Sequence, residues 1–148
     1  DFDEFDAVII SDYCKGFIDE DTIKYISKQH PLTFLDTKKQ IGSWVEDITF
    51  IKINDVEYRY SKKFIDNNYK DSLIITRGSN GAEYKGNTYP VKKVDVKDTS
   101  GAGDSFLAGL VGNYLETYNI VEAIKFANKC ATQVVQKKGT AKINKNEL

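Results

Sequence analysis

Four short runs of apolar, mostly β-branched residues, each closing on a polar side chain, limit this chain to few architectures. They are residues 7–11 before Asp12, 32–35 before Asp36, 48–53 before Asn54, and 73–76, which ends on Thr76. Between them, residues 19–29 carry Ile23 and Ile26 at helical spacing behind a capping Asp19 or Asp21, and Pro31 closes the segment. Residues 55–66 predict a second helix with Val56, Tyr60, Phe64 and Ile65 on one side. Strands alternating with helices specify βαβ units and a parallel sheet. Open parallel sheets bind ligands at the carboxyl ends of their strands, so Asp12, Asp36, Asn54 and Thr76 stand where a site belongs.

The remainder continues the pattern. Residues 77–81 read as a turn, 82–84 and 88–91 as a hairpin around Lys85-Gly86-Asn87, and 93–96 as a further strand-like piece. Two long helices are expected over 102–118 and 120–136, with Asn119 as the break and residues 137–140 as the end of the second. With no repeat, low-complexity tract or linker, residues 1–148 read as a single domain. A chain that opens at Asp1, holds no methionine and reaches a strand at once is expected to be an internal stretch of a longer protein, removal of a tag being the alternative.

A net charge of −1 without a basic block argues against nucleic acid as a partner. No apolar run nears the roughly 20 residues of a membrane span, and no signal peptide opens the chain. Cys14 and Cys130 lie far apart, as free thiols in a reducing, cytoplasmic compartment, with a disulfide as the alternative. His30 is the only histidine, which leaves no Ser-His-Asp triad and no His-rich metal site. It reads as a polar residue at a helix end.

Four constellations carry chemistry. In Asp98-Thr99-Ser100-Gly101-Ala102-Gly103-Asp104, small residues open a helix whose backbone N–H groups and dipole favour an anion. Asp104, in the first turn, is either a carboxylate complementing that dipole or a general base for a hydroxyl attacking a phosphoryl group. Asn54 and Glu57 are either a capping box or an oxygen-rich holder of Mg²⁺ and phosphate. Thr76, Gly78 and Gly81 form either a plain turn or a flexible loop for a nucleotide phosphate. In Asp12-Tyr13-Cys14-Lys15-Gly16 and Asp36-Thr37-Lys38, Lys15 and Lys38 would place positive charges near phosphate oxygens, although surface lysines are plentiful.

The stretch DTSGAGDSF resembles the C-terminal signature of the ribokinase-like (PfkB) family of sugar kinases. Asn-x-x-Glu at 54–57 and Thr-x-Gly-x-x-Gly at 76–81 are similar to that family's magnesium–phosphate and nucleotide motifs. Asp12-Tyr13-Cys14-Lys15-Gly16, Asp36-Thr37-Lys38 and Lys138-Gly139-Thr140-Ala141 resemble its heptose-phosphate kinase branch, with Cys14 where glycine and Thr37 where proline is usual. The resemblance implies a ribokinase-like α/β fold, a mostly parallel sheet flanked by helices and truncated on its N-terminal side, forming the nucleotide-binding half of a kinase. It implies ATP and Mg²⁺, a sugar or sugar-phosphate substrate, Asp104 as base, and Gly101, Ala102 and Gly103 as the anion hole. Asn54, Glu57, Thr76, Gly78, Gly81, Asn128 and Gly139 would meet the nucleotide, Asn128 lying along the adenine or serving as an ordinary helix residue. Lys15, Asp12 and Lys38 would meet the substrate. Metal contacts fall to Glu57 and Asn54, and to Asp98 with the Ser100 carbonyl for a monovalent cation. Without the sugar-binding half and its lid, the alternative is a nucleotide-binding fragment with no activity of its own. An apolar edge where that half would pack implies self-association or a partner.

Overall fold

The alternation read from the sequence is the one the chain adopts. The computed structural model describes residues 2–148. The order is β1 (Val8–Asp12), α1 (Glu20–Ser27), β2 (Thr33–Thr37), β3 (Phe50–Asn54), α2 (Asp55–Ser61), β4 (Leu73–Thr76), β5 (Ala82–Tyr84), β6 (Asn87–Tyr89), α3 (Ala102–Thr117) and α4 (Ile120–Val135). All six strands lie in one sheet in chain order, and β1 to β4 are mutually parallel. The chain divides into two compact units: one runs to Arg77 and includes Glu83–Asn87, the other comprises Gly78–Ala82 and Thr88–Leu148.

In the first unit each crossover steps to the neighbouring strand in the same direction, so right-handed connections bring the linking segments to one sheet face. That face carries Ile10, Leu35, Ile51, Ile53, Leu73 and Ile75, clustered with Ile23 of α1 and with Ile41, Trp44, Val45, Ile48 and Tyr69 from the connections. Fully burying one such aliphatic side chain stabilises by about 1.5–3 kcal/mol. On the opposite face Phe34 and Phe50 pack with ring centroids 5.4 Å apart. Of the two candidate caps of α1, Asp19 is the one used, its Oδ1 accepting from the Thr22 amide at 2.8 Å. His30 closes a bend: Nδ1 lies within hydrogen-bond distance of the Leu32 amide and carbonyl, and Nε2 within hydrogen-bond distance of the Phe5 carbonyl.

Two expectations are corrected. Helix α2 ends at Ser61 rather than near residue 66; Val56, Tyr60 and Phe64 are exposed, and Ile65 of that set packs against the core. Its inward residues are polar: Glu57 caps the helix, and Ser61 Oγ accepts from the Ile41 amide at 2.9 Å. Residues 93–96 form no strand, because the chain there leads into amides of Lys97 and Asp98 that donate to the Val135 carbonyl, an unpaired acceptor at the end of α4.

The second unit is led by α3 and α4. Gly109 is dictated by their packing, since a Cβ there would stand 2.8 Å from Cys130 Sγ. Tyr118 ends α3 in the left-handed region, and Asn119 starts α4 by accepting from the Val121 and Glu122 amides. Asn119 is thus the break that the sequence predicts.

Candidate functional site

The carboxyl ends of β1, β2 and β3 carry three acid–lysine pairs. Two of their lysines, Lys39 and Lys52, are absent from the sequence-derived site. Asp12, at the end of β1, is buried and accepts from the Cys14 amide (2.9 Å), Thr37 Oγ1 (2.8 Å) and Lys39 Nζ (2.6 Å). Burial alone would push its carboxyl upward. The Lys39, Cys14 and Thr37 donors outweigh that and hold it below the usual carboxylate range. Lys39 also donates to the Ile18 carbonyl at 2.6 Å, which pins the far end of the loop after β1. In that loop Cys14 takes φ +55° and Gly16 φ +82°, which gives a steric reason for a glycine at either position. Lys15, between them, is exposed.

The second pair lies within the sheet. Asp36 and Lys52 are register partners on β2 and β3, and Lys52 Nζ donates to Asp36 Oδ2 at 2.8 Å with both residues buried. Asp36 Oδ1 finds no hydrogen-bond partner among the described residues. A lysine inside the apolar run Phe-Ile-Lys-Ile was the available signal for this pair.

The third pair joins two residues that the motifs single out. Asn54 caps α2 through Oδ1, which accepts from the Val56 and Glu57 amides at 2.9 and 3.0 Å. Glu57 returns the contact: Oε2 accepts from the Asn54 amide (2.6 Å), and Oε1 accepts from Asn54 Nδ2 (2.9 Å) and Lys38 Nζ (2.6 Å). The capping box and the acidic motif are therefore one object. Thr76 lies beside Asn54 in register. Next to it, Arg77 spans Asp55 of α2 and Glu83 of β5 and stacks over the Tyr58 ring at 5.2 Å. The Glu83 hydrogen bond leads the causes that raise the guanidinium's pKa, while Arg59, then Arg77, holds Asp55 low.

In the second unit the glycine-rich turn is built from backbone. Gly101 caps α3 at φ +74°, its carbonyl accepting from the Ser105 amide, and Asp104 is exposed at the third helical position. The N–H groups of a first helical turn have no intrahelical partner and suit an anion; here the Ala102 amide donates to the Thr99 carbonyl at 3.2 Å. Asp98 accepts from the Ser100 amide at 2.8 Å and the Gly139 amide at 3.0 Å, so one carboxylate ties this turn to the loop after α4. Those contacts, Ser100 first, hold its carboxyl below the ordinary range. Gly81 (φ +86°) lies against the Tyr89 carbonyl, which a Cβ would meet at 2.0 Å. Gly78, also at positive φ, has open space around it. Asn128 is buried, and its Nδ2 donates to the Tyr89 carbonyl at 2.8 Å.

The donor set bears on a metal. Among the described residues no three His, Cys, Asp or Glu side chains converge. Both acceptor positions of Asn54 Oδ1 are used by amides, and Glu57 accepts three of its roughly four hydrogen bonds. Glu57 therefore fits a hydrated Mg²⁺ held through water, and Asn54 fits as the residue that fixes Glu57. Among the described residues no helix is long and apolar enough to cross a membrane.

The parallel strands with their crossovers place the chain among α/β proteins. The family model described as pfkB family carbohydrate kinase matches residues 3–147, and the chain belongs to that family. It is 30% identical to the bifunctional protein HldE of a Marinomonas species, over 97% of this chain and 34% of that protein. In structure it is similar to ribokinase from Thermotoga maritima, with TM-score 0.73 at 19% identity over 93% of this chain and 52% of that one. The Arabidopsis thaliana ribokinase complexed with ribose and ATP matches with TM-score 0.70 at 19% identity, over 90% of this chain and 51% of that one. The ribokinase-like α/β fold implied by the motifs is the fold found. The chain spans about a third of the length of the HldE proteins it matches and about half of the two ribokinases.

Proposed function

We propose that this chain is the nucleotide-binding part of an ATP-dependent sugar kinase that transfers the γ-phosphoryl group to a hydroxyl of a sugar or sugar phosphate. The observation that carries this reading is Asp104 standing exposed in the first turn of α3, directly after the left-handed Gly101 cap, within a chain matched by the family model. Asp104 would take the acceptor hydroxyl's proton as its oxygen attacks in line. Backbone N–H groups between Gly101 and Gly103 would stabilise charge developing on the phosphoryl oxygens. Glu57, fixed by Asn54, would hold a hydrated magnesium ion that neutralises charge on the nucleotide phosphates. Thr76, Gly78, Gly81 and Gly139 would line the nucleotide path, and Asp98 would hold a monovalent cation beside the Ser100 carbonyl.

For the acceptor, Lys15 is an exposed cation on a loop anchored by Asp12 and Lys39. This supports a phosphorylated acceptor, a heptose phosphate on the motif resemblance. A second reading, a nucleotide-binding fragment without turnover of its own, is favoured by the chain's one-third span of its curated relatives.

Calorimetric titration with Mg²⁺ and ATP, followed by assay of Asp104→Asn in a competent kinase, tests both readings. The kinase reading expects metal-dependent binding and a loss of about 10²–10⁴ in kcat for Asp104→Asn. Binding without turnover in the wild type selects the fragment. Near-normal turnover in the variant removes Asp104 as base.

A further inference from the structure

We infer that Lys38 is a resident counter-charge for Glu57 that keeps bare divalent cations away from this carboxylate, so that a cation enters only together with nucleotide phosphates. The inference rests on the reading above in one respect, that Glu57 serves a nucleotide-bound metal.

Three observations carry it. Glu57 is 7% exposed, so its charge is largely withdrawn from water and needs a compensating partner. The Lys38 ammonium supplies that charge at 2.6 Å, on the same oxygen that receives the Asn54 amide group. The Lys38 side chain is itself 39% exposed on a flexible four-carbon stem, so it can leave the carboxylate without unpacking the core. Asn54 keeps Glu57 in place when it does, through two further hydrogen bonds.

A cation approaching alone meets an ammonium already seated and gains little from the pair. A metal–nucleotide complex brings phosphate oxygens that accept the ammonium, while Glu57 turns to the waters of the incoming ion. Every charge then exchanges one partner for another. The neighbouring Asp12 has its own lysine, Lys39, so each acid keeps a separate partner.

The test needs no turnover and uses Mn²⁺ alone as the probe. Free Mn²⁺ is followed by electron paramagnetic resonance in the absence of nucleotide, with circular dichroism reporting folding. Lys38→Met is expected to bind Mn²⁺ at least about tenfold more tightly than the wild type, because a repelling unit charge a few ångströms away is removed. Lys38→Arg should bind like the wild type. Glu57→Gln added to Lys38→Met should cancel the gain. An unchanged affinity in folded Lys38→Met, or a gain that survives Glu57→Gln, overturns the inference. Lys38→Gln decides the same question if the methionine variant does not fold. Titration of the wild type with Mg²⁺ and ATP reports separately on the nucleotide reading, so the two fail independently.

Discussion

The strand ends of the first unit and the turn before α3 offer ionic chemistry by opposite means. At the strand ends charge is held by paired side chains, with Asp12 against Lys39, Asp36 against Lys52 and Glu57 against Lys38. At the turn the geometry is set by backbone, with a left-handed Gly101, amides of a first helical turn and one carboxylate bonded to two further amides, and the Asp104 carboxylate stands exposed beside them. Paired side chains resist an intruding charge until both partners are re-paired. Backbone dipoles are fixed in direction and meet an anion without rearrangement. The first kind of region suits exchange of ions, and the second suits charge that develops during a reaction.

The comparison breaks most sharply at the buried pair. Lys52→Met strands Asp36 as an uncompensated buried carboxylate and should cost about 3–5 kcal/mol in urea unfolding, most of it recovered by adding Asp36→Leu. A loss below about 1 kcal/mol would mean that water reaches this carboxylate. Asp12→Asn should cost about 1–3 kcal/mol at neutral pH, since Thr37 and Lys39 lose their charged acceptor.

That second variant also sharpens the acid response. Asp12 and Asp98 both sit below the ordinary carboxylate value in the folded chain, so their stabilisation is complete above about pH 4 and is lost as pH falls through the folded values. The urea midpoint of Asp12→Asn should therefore fall less between pH 5 and 3 than that of the wild type.

Gly101→Ala probes the backbone-built region. With nothing within 4 Å of the new methyl, the cost is the left-handed φ alone, about 1 kcal/mol net of the unfolded-state gain, read by thermal unfolding. Cys14→Gly is its mirror image on the paired side, where removing a Cβ at φ +55° should stabilise by about 0.5 kcal/mol. A lower Tm for that variant would show that the thiol makes contacts worth more than the strain.

What the sequence disclosed follows the same division. Glycine-dictated geometry is local, so the 98–104 turn, the Asn119 break and the hairpin were legible from residue types alone. Pairing across strands depends on register, which one chain's residue order does not state. Nothing in Thr37-Lys38-Lys39 says which lysine turns to Asp12 and which to Glu57. Helix α2 misled for a related reason: the side bearing Val56, Tyr60 and Phe64 is exposed, whereas the buried positions belong to Glu57 and Ser61, polar residues with backbone partners. Lys52 was detectable as a charge within an apolar strand, but its partner was not.

The strand order carries a consequence for how such a chain is made. Because the six strands lie side by side in the order in which they are translated, each new strand can join the edge left by the one before it as it leaves the ribosome. No strand need wait for a later one to be inserted between itself and its predecessor. Within this stretch, assembly can follow chain order, like courses of brick laid in sequence.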